Sequence, residues 1–375
     1  MAYRIALLGG GSGGHVYPLV AVAQELQKQS VERGVSLELQ FWGEGSFLER
    51  EAKNIGISYK NIQASKWRRY FSIYNFIDLL KIPIGFIQSL FYVWLFMPDA
   101  VFVKGGYASV IPAIVSKIFM VPIFVHESDA IPGKSNLLVS RLARKIFISF
   151  ESSGAYFNPA KTLITGNPVR SEITGMSKEE ALNFFGFSSS RPTVFIIGGS
   201  QGAQIINKII IEGLLGLLKD FNVIHQVGEK NLGFIKSQTE NIIKEGERSS
   251  MDYEGLVKNF YKFFSVLNVE EINYAYSASD VVVTRAGAGS LFEISMLGKP
   301  VIIIPILNSA SNHQFANAEE LKKYGATVIE EPNLTTHILS DQIKETYKNR
   351  DGISQRIYQF ANPNAAKMIA SELFS

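Results

Sequence analysis

Two glycine-rich turns and one histidine raise the chemical question in this chain. The turn Gly9-Gly10-Gly11-Ser12-Gly13-Gly14 closes an apolar run and leads directly into His15, and Gly198-Gly199-Ser200-Gln201-Gly202 closes another. Glycines let backbone N–H groups come close to a bound anion, and a helix starting at such a turn points its positive end at it. A departing diphosphate needs both features. At a helix N-terminus the dipole disfavours imidazolium, so His15 is a candidate general base near neutral pH, although a His that only hydrogen-bonds the turn or the diphosphate would look the same. The first turn also fits Gly-x-Gly-x-x-Gly at Gly9, Gly11 and Gly14, a dinucleotide signature. The acidic residue such a site wants at the end of the second strand is matched only loosely by Glu44, and His15 and the second glycine turn argue against it.

Two further segments carry polar chemistry. In Thr284-Arg285-Ala286-Gly287-Ala288-Gly289-Ser290-Leu291-Phe292-Glu293, a small-residue turn exposes N–H groups. Ser290 can hydrogen-bond phosphate there, and Glu293, placed in the first turn of the next helix, can accept both ribose hydroxyls. Equally, Glu293 can simply favour the positive helix end while Arg285 pairs with Asp280. In Asn312-His313-Gln314-Phe315-Ala316-Asn317-Ala318, Gln314 and Asn317 share a helical face, and their amides suit sugar hydroxyls; an ordinary polar helix start is the simpler alternative. Glu127 and Asp129 are alternative bases, with His126 an ordinary strand-end candidate. No Asp-x-Asp occurs, so the sequence offers no motif for a divalent ion on a diphosphate, and metal-independent chemistry without a cofactor is expected.

These residues must be positioned by something regular. Apolar β-type runs at Arg4–Leu8, Leu37–Trp42, Ala100–Val103, Pro122–Val125 and Lys145–Ser149 alternate with helical patterns. The alternation resumes at Thr193–Ile197, Val223–Val227, Val281–Thr284, Val301–Ile304 and Ala326–Ile329. Continuous apolar strands alternating with helices predict α/β architecture with doubly wound parallel sheets covered on both faces. Two Rossmann-like domains follow, and the Thr165-Gly166-Asn167-Pro168 turn formers place their join, giving 1–165 and 166–359. The segment Glu240–Leu256 reads as a charged surface excursion. A last helix, about Asn364–Leu373, lies in a tail, 360–375, expected to pack back on the first domain.

Composition supports a folded, two-domain protein. Of 375 residues, 46% are hydrophobic and 26 are Phe, so some apolar surface is expected to face something other than water. With no Cys there is no disulfide or thiolate metal site. The start, Met1–Leu8, lacks the length and cleavage site of a signal peptide. Residues 1–165 hold 17 Lys+Arg against 11 Asp+Glu, whereas 166–375 hold 20 against 23, so the first half suits an anionic partner, nucleic acid or membrane. Ile82–Met97 carries no charge but is too short to span a bilayer and contains Pro83 and Gly85. One stripe of it, Phe76, Leu80, Ile84, Ile87, Phe91 and Trp94, is expected to pack on the sheet. A second, Leu79, Ile82, Phe86, Leu90, Val93 and Met97, is left to face a membrane, with the Lys66-Trp67-Arg68-Arg69-Tyr70 cluster beside it.

The segments Gly9–His15, Lys104-Gly105-Gly106-Tyr107, His126–Gly133, Gly166–Arg170, Gly198–Ala203, Arg285–Glu293 and His313–Ala318, in that order, resemble the MurG family of peptidoglycan N-acetylglucosaminyltransferases. The resemblance implies a GT-B fold, two facing Rossmann-like domains with an interdomain cleft. It further implies inverting transfer of N-acetylglucosamine from UDP-N-acetylglucosamine to the MurNAc 4-hydroxyl of lipid I, forming lipid II at the cytoplasmic face of the membrane. The partners it implies are UDP-N-acetylglucosamine, lipid I and an anionic membrane surface, not nucleic acid. Carried across, Ser12, Gly13 and Gly14 line the cleft, Gly105, Gly106 and Tyr107 lie on the acceptor side, and Arg170, Ser200 and Asp129 contact the donor. Val269 would sit against uracil, Ala288, Gly289, Ser290, Leu291, Phe292 and Glu293 would hold phosphate and ribose, and Gln314 and Asn317 the sugar. The family pattern has Asn where Asp129 stands. A UDP-sugar epimerase on the same fold, or a non-catalytic nucleotide-sugar or lipid-binding subunit, are the other functional classes to be tested.

Overall fold

The apolar runs pair side by side, all in parallel, as two separate sheets. The computed structural model describes residues 2–11, 13–64, 73–188, 190–199, 202–307 and 312–375, with 73–80 described by backbone only. The chain divides into two units, Met1–Ser171 with Asn362–Ser375, and Glu172–Ala361. The division falls a few residues beyond the expected join, which leaves Arg170 in the first unit.

In the first unit, described strands β1 (Tyr3–Gly10), β2 (Leu37–Glu44), β3 (Ser58–Asn61), β4 (Ala100–Val103), β5 (Ile123–Glu127), β6 (Lys145–Ile148) and β7 (Thr162–Ile164) form a sheet ordered β3-β2-β1-β4-β5-β6-β7. Ile5, Ala6, Leu7 and Leu8 are fully buried, as a strand covered on both faces requires. The tail helix Ala365–Leu373 belongs to this unit. Its Ile369, Ala370 and Leu373 join the core around Val22 and Leu26. Tyr3 Oη donates to the Leu373 carbonyl at 2.9 Å, Gln29 Nε2 donates to the Lys367 carbonyl at 3.1 Å, and Lys145 pairs with Glu372.

The helix Ile73–Phe96 turns inward a face that neither apolar stripe describes, lined by Gly85, Ser89, Val93 and Phe96. Ile84, Ile87, Phe91 and Trp94, expected to pack on the sheet, are exposed, while Val93, expected outside, is fully buried and Leu90 half-buried. The reason is close approach at small residues. A methyl group on Gly85 would lie 2.3 Å from the Gln63 carbonyl oxygen, and Ser89, also buried, turns its hydroxyl back to the Gly85 carbonyl at 2.6 Å. Phe96 completes that inward face. Ile82, Phe86 and Met97 are exposed as expected.

The second unit carries β8 (Thr193–Ile197), β9 (Asn222–Gln226), β10 (Tyr261–Phe264), β11 (Val281–Thr284), β12 (Val301–Ile303) and β13 (Thr327–Val328), ordered β10-β9-β8-β11-β12-β13. The charged stretch 240–256 lies mostly at the surface, as expected, and is helical, in Leu232–Ser249 and Tyr253–Phe260. Ile235, Thr239 and Gly246 recur at helical spacing on its buried side, too sparse and too mixed in polarity to stand out among the charges.

Each sheet reverses strand order once, between β1 and β4 in the first unit and between β8 and β11 in the second. In open α/β sheets the crevice beyond the strand ends at such a reversal is where ligands bind. Gly9–His15 follows β1 and Lys104–Tyr107 follows β4; the Gly198 turn follows β8 and the Arg285–Glu293 segment follows β11. Four of the chemically suggestive segments therefore sit at the two switch points.

Candidate active site

At the first switch point β1 runs into the helix Gly13–Arg33. Gly43 meets β1 so closely that a methyl there would lie 1.8 Å from the Gly9 carbonyl oxygen, so part of the glycine content serves strand packing. Gly13 and Gly14 open the helix, and half-buried His15 stands third in it, at its positive end. Pro18 has no N–H to return to the Gly14 carbonyl, which leaves that carbonyl without its helical donor. Arg170 is buried, and its guanidinium lies 3.9 Å over the ring centroid of Tyr17 on the same helix. Ser12 lies outside the described residues, as do Ser200 and the Lys66–Tyr70 cluster.

Beyond β4 and β5, a web of polar side chains shapes the 128–133 turn. Glu127 is buried, and both its oxygens are engaged: Oε1 accepts from Asp129 N–H at 2.9 Å, and Oε2 accepts from Gly133 N–H at 3.0 Å and Asn136 Nδ2 at 2.9 Å. Burial raises its pKa, with nearby Asp129 adding to the rise, while the Asp129 N–H, Lys104 and Asn136 oppose it. This bonding ties the turn together from within, which suits a brace better than a freely presented base. His126 is fully buried, and burial with Lys104 nearby holds its pKa well below the ordinary range. The neutral ring pairs Nε2 with the Gly166 carbonyl at 3.1 Å, the strand-end alternative foreseen for it. Asp129 keeps a partly exposed side chain at the turn's edge. Gly105 and Gly106 adopt φ of 108° and 87°, and Tyr107, 52% exposed, follows them.

In the second unit the helix Ala288–Met296 starts after Gly287, and no side chain caps it, so its first N–H groups stay presented at the switch point. Ala288, Gly289 and Ser290 form that first turn, followed by buried Leu291 and Phe292. Glu293 falls in the second turn rather than the first, 8% exposed, with Tyr276 Oη donating to its Oε2 at 3.3 Å. Its position one turn in removes the simple helix-end explanation. Arg285 pairs with Glu331 at 2.6 Å and donates to the Ile304 carbonyl at 3.0 Å, not to Asp280, which instead binds Lys178 at 2.5 Å and Thr193 N–H. Gln314 is half-buried, and its Oε1 accepts from Ile306 N–H at 3.1 Å. Asn317 is fully buried and donates to the Ala286 carbonyl at 3.1 Å, bracing the loop that precedes the helix. Val269 opens the helix Val269–Ala278, half-buried behind a capping box of Asn268 and Glu271.

Several residues that shape these sites carry no motif. Buried Gln226 donates to the Gly199 carbonyl at 3.2 Å and accepts from Leu267 N–H at 3.1 Å, joining the glycine turn to the segment before Val269. Asn136 acts likewise on the 128–133 turn through Glu127, and Tyr276 on Glu293 of the helix Ala288–Met296. Only the short β-strand before each turn hints at them.

The sequence pattern of the glycosyltransferase family 28 N-terminal domain matches residues 5–148, and that of the family's C-terminal domain matches residues 193–372. A UDP-N-acetylglucosamine–N-acetylmuramyl-(pentapeptide) pyrophosphoryl-undecaprenol N-acetylglucosamine transferase of Clostridium botulinum (strain Alaska E43 / Type E3) is 34% identical over 98% of this chain and 96% of its own. The chain belongs to this family. A second relative of the same name, numbered 2, from Bacillus cereus (strain ATCC 10987 / NRS 248) is 32% identical over 99% of each chain. Among solved structures, MurG of Acinetobacter baumannii aligns with a TM-score of 0.72 at 22% identity over 99% of both chains. A UDP-GlcNAc 2-epimerase from Neisseria meningitidis bound to UDP-GlcNAc aligns at 0.69 and 14%, over 99% of both. This family 28 chain is thus a glycosyltransferase with the two Rossmann-like units of the GT-B class, and the fold alone is shared with epimerases.

Proposed function

We propose that this chain transfers N-acetylglucosamine from UDP-N-acetylglucosamine to the MurNAc 4-hydroxyl of undecaprenyl-pyrophosphoryl-MurNAc-pentapeptide, with inversion, making lipid II for peptidoglycan. The observation that carries the proposal is near-full-length kinship with transferases of that name, coupled to chemically suited residues at both switch points. In one displacement the acceptor oxygen forms a bond to the sugar C1 while the C1–O bond to UDP breaks on the opposite face. The hydroxyl proton goes to His15, and the electron pair leaves on the diphosphate. The N–H groups at Ala288, Gly289 and Ser290 and at the glycine turns stabilise that charge without a metal ion. Glu293 reads the ribose diol, Val269 the uracil, and Gln314 the sugar.

The acceptor is lipid-linked, and the chain works as a peripheral protein on the cytoplasmic face of the membrane. Supporting this, no helix among the described residues is long and apolar enough to cross a bilayer. The helix Ile73–Phe96 and its neighbour Val110–Ile118 instead expose Ile87, Phe91, Trp94, Leu95, Ile114 and Ile118. Isolated apolar residues are common on surfaces, but a patch of this kind marks an interaction site.

The deciding experiment incubates purified protein with UDP-N-acetylglucosamine and lipid I, in buffer with and without EDTA, and identifies the product and its anomeric configuration. A β-linked disaccharide on the lipid, formed in EDTA as well, is expected. Release of UDP or an epimerised sugar without lipid I would assign the chain to epimerase chemistry, and binding without turnover to a carrier role.

A further inference from the structure

Lys104 is fully buried at the end of β4, and the proposed transfer does not use it. A lone ammonium in an apolar interior is expensive, so a retained one must be compensated by what surrounds it. Its Nζ donates to Ser128 Oγ, and Glu127 and Asp129 are the charges that favour its protonated form. Burial works against them and brings its pKa down to about 8. Glu127 already has both oxygens engaged by Asp129 N–H, Gly133 N–H and Asn136. The 128–133 turn is therefore gripped twice, by a carboxylate through its backbone and by an ammonium through Ser128. Between those two grips stands Asp129, whose side chain is partly exposed.

We propose that Lys104 is a positioning residue for sugar transfer: bonded to Ser128 and set beside Glu127 and Asp129, its ammonium holds the turn so that the Asp129 carboxylate meets a substrate hydroxyl in a fixed orientation. The proposal rests on the transferase function above. It differs from a purely structural role in requiring Lys104 to act through Asp129. A structural lysine would lower turnover independently of what stands at position 129. A positioning lysine has nothing left to position once Asp129 is gone.

The test uses the full-length protein, UDP-N-acetylglucosamine and lipid I, with Lys104→Met, Asp129→Ala and the double variant. Lys104→Met should keep the parent's affinity for UDP by calorimetry and its native tryptophan emission, showing a folded first unit, and lower kcat by about tenfold or more with a smaller change in the KM for donor. The double variant should lose less than the product of the two single losses, by roughly fivefold, a coupling of the size expected for residues in one network. Losses that multiply, or parental turnover in Lys104→Met, overturn the proposal. Should Lys104→Met fail to fold, Ser128→Ala keeps the ammonium and removes its acceptor; it must couple to Asp129→Ala in the same way, and independent losses overturn the proposal equally. Absence of transfer by the parent protein overturns the proposed function and this inference with it, whereas normal transfer by Lys104→Met overturns this inference alone.

Discussion

Tyr17 lies beneath the guanidinium of Arg170, 3.9 Å from ring centroid to Cζ, although the two are far apart in sequence. The same ring meets Phe47 edge-on at 5.4 Å, and Arg50 lies over Phe47 at 4.9 Å. Two cations thus flank a pair of aromatic rings beside the first helix, tying the Gly166–Arg170 segment to the helix that carries His15.

Replacing Tyr17 by Leu keeps apolar bulk but removes the ring face. The first unit should lose about 1 to 2 kcal/mol, the range for a partly desolvated cation–π contact. All three Trp lie before residue 100, so tryptophan fluorescence during urea unfolding reports on this unit. An unmoved midpoint would show that Arg170 is held by its other contacts alone. Arg170→Lys should not substitute for the parent, since a compact ammonium cannot stack as the planar guanidinium does.

His15→Ala should depress turnover by about 100 to 10,000-fold, the worth of general-base catalysis, with little change in UDP affinity. Glu127→Gln retains an acceptor oxygen but alters the bonds that shape the turn, so its effect should appear in thermal stability as well as rate. If stopped-flow turnover of His15→Ala stays near the parent's, the base is elsewhere and Asp129 is next to be tested.

Glu293 and Asn317 should separate cleanly. Glu293→Ala should weaken UDP binding in calorimetry by tenfold or more while leaving folding intact, because a hydrogen bond to a charged group is worth about 1.5 to 3 kcal/mol. Asn317→Ala removes the donor to the buried Ala286 carbonyl, and its first effect should be on stability, by about 1 to 3 kcal/mol. The reverse pattern would put Asn317 on the ligand and Glu293 in the scaffold.

Much of the scaffold is written plainly in the residues. Ala100–Val103, Thr193–Ile197 and Val281–Thr284 are continuous apolar runs because the central strands are buried on both faces. The strands that escape notice, β3, β7 and β10, all lie at sheet edges, where Ser58-Tyr59-Lys60-Asn61 can be polar without cost. For Ile73–Phe96 the period is legible but the inward face is not, since every side is apolar and the choice falls to Gly85 and Ser89. At the sites, turns and helix starts can be seen in sequence because their residue types follow from local geometry. The duties of Asn317, Glu127 and Gln226 cannot, because each is fixed by a partner brought near only by the sheet.

Acid should destabilise the chain through two buried imidazoles. His225 accepts from Tyr261 Oη at 2.9 Å and donates Nε2–H to Asn207 Oδ1 at 3.0 Å, and burial lowers its pKa from 6.5 to about 3; His126 is depressed by burial and Lys104. Because the folded values lie below the unfolded one, their contribution is fully present above pH 6.5 and is lost as pH falls toward 3, where the unfolded chain binds more protons. Each such group can contribute a slope of up to about 1.4 kcal/mol per pH unit in that window. Urea midpoints should therefore fall from pH 7.5 to pH 5, and His225→Gln should flatten the second unit's share. A midpoint that rises toward pH 5 would contradict the assignment of neutral imidazoles.

Phe91 and Trp94 stand on the outward side of the helix Ile73–Phe96, with Trp94 64% exposed, and Met120 at the end of the neighbouring helix is 87% exposed. Partial burial of two large side chains in the acyl boundary is worth roughly 2 kcal/mol together, about thirtyfold in partitioning. Phe91→Ser with Trp94→Ser should therefore cut binding to anionic vesicles by about that factor, while UDP affinity stays at the parent's value. Reversing Arg68 and Arg69 to Glu should weaken binding at low salt and matter less at high salt, since charge attraction near the surface is screened within a Debye length. The buried Val93→Ser should act differently, lowering the unfolding midpoint without a specific loss of vesicle binding. Co-sedimentation of Phe91→Ser/Trp94→Ser at the parent's level would show that this face covers something other than lipid, and turnover on lipid I in vesicles, set against turnover on a detergent-dispersed acceptor, would then show whether membrane docking takes part in transfer at all.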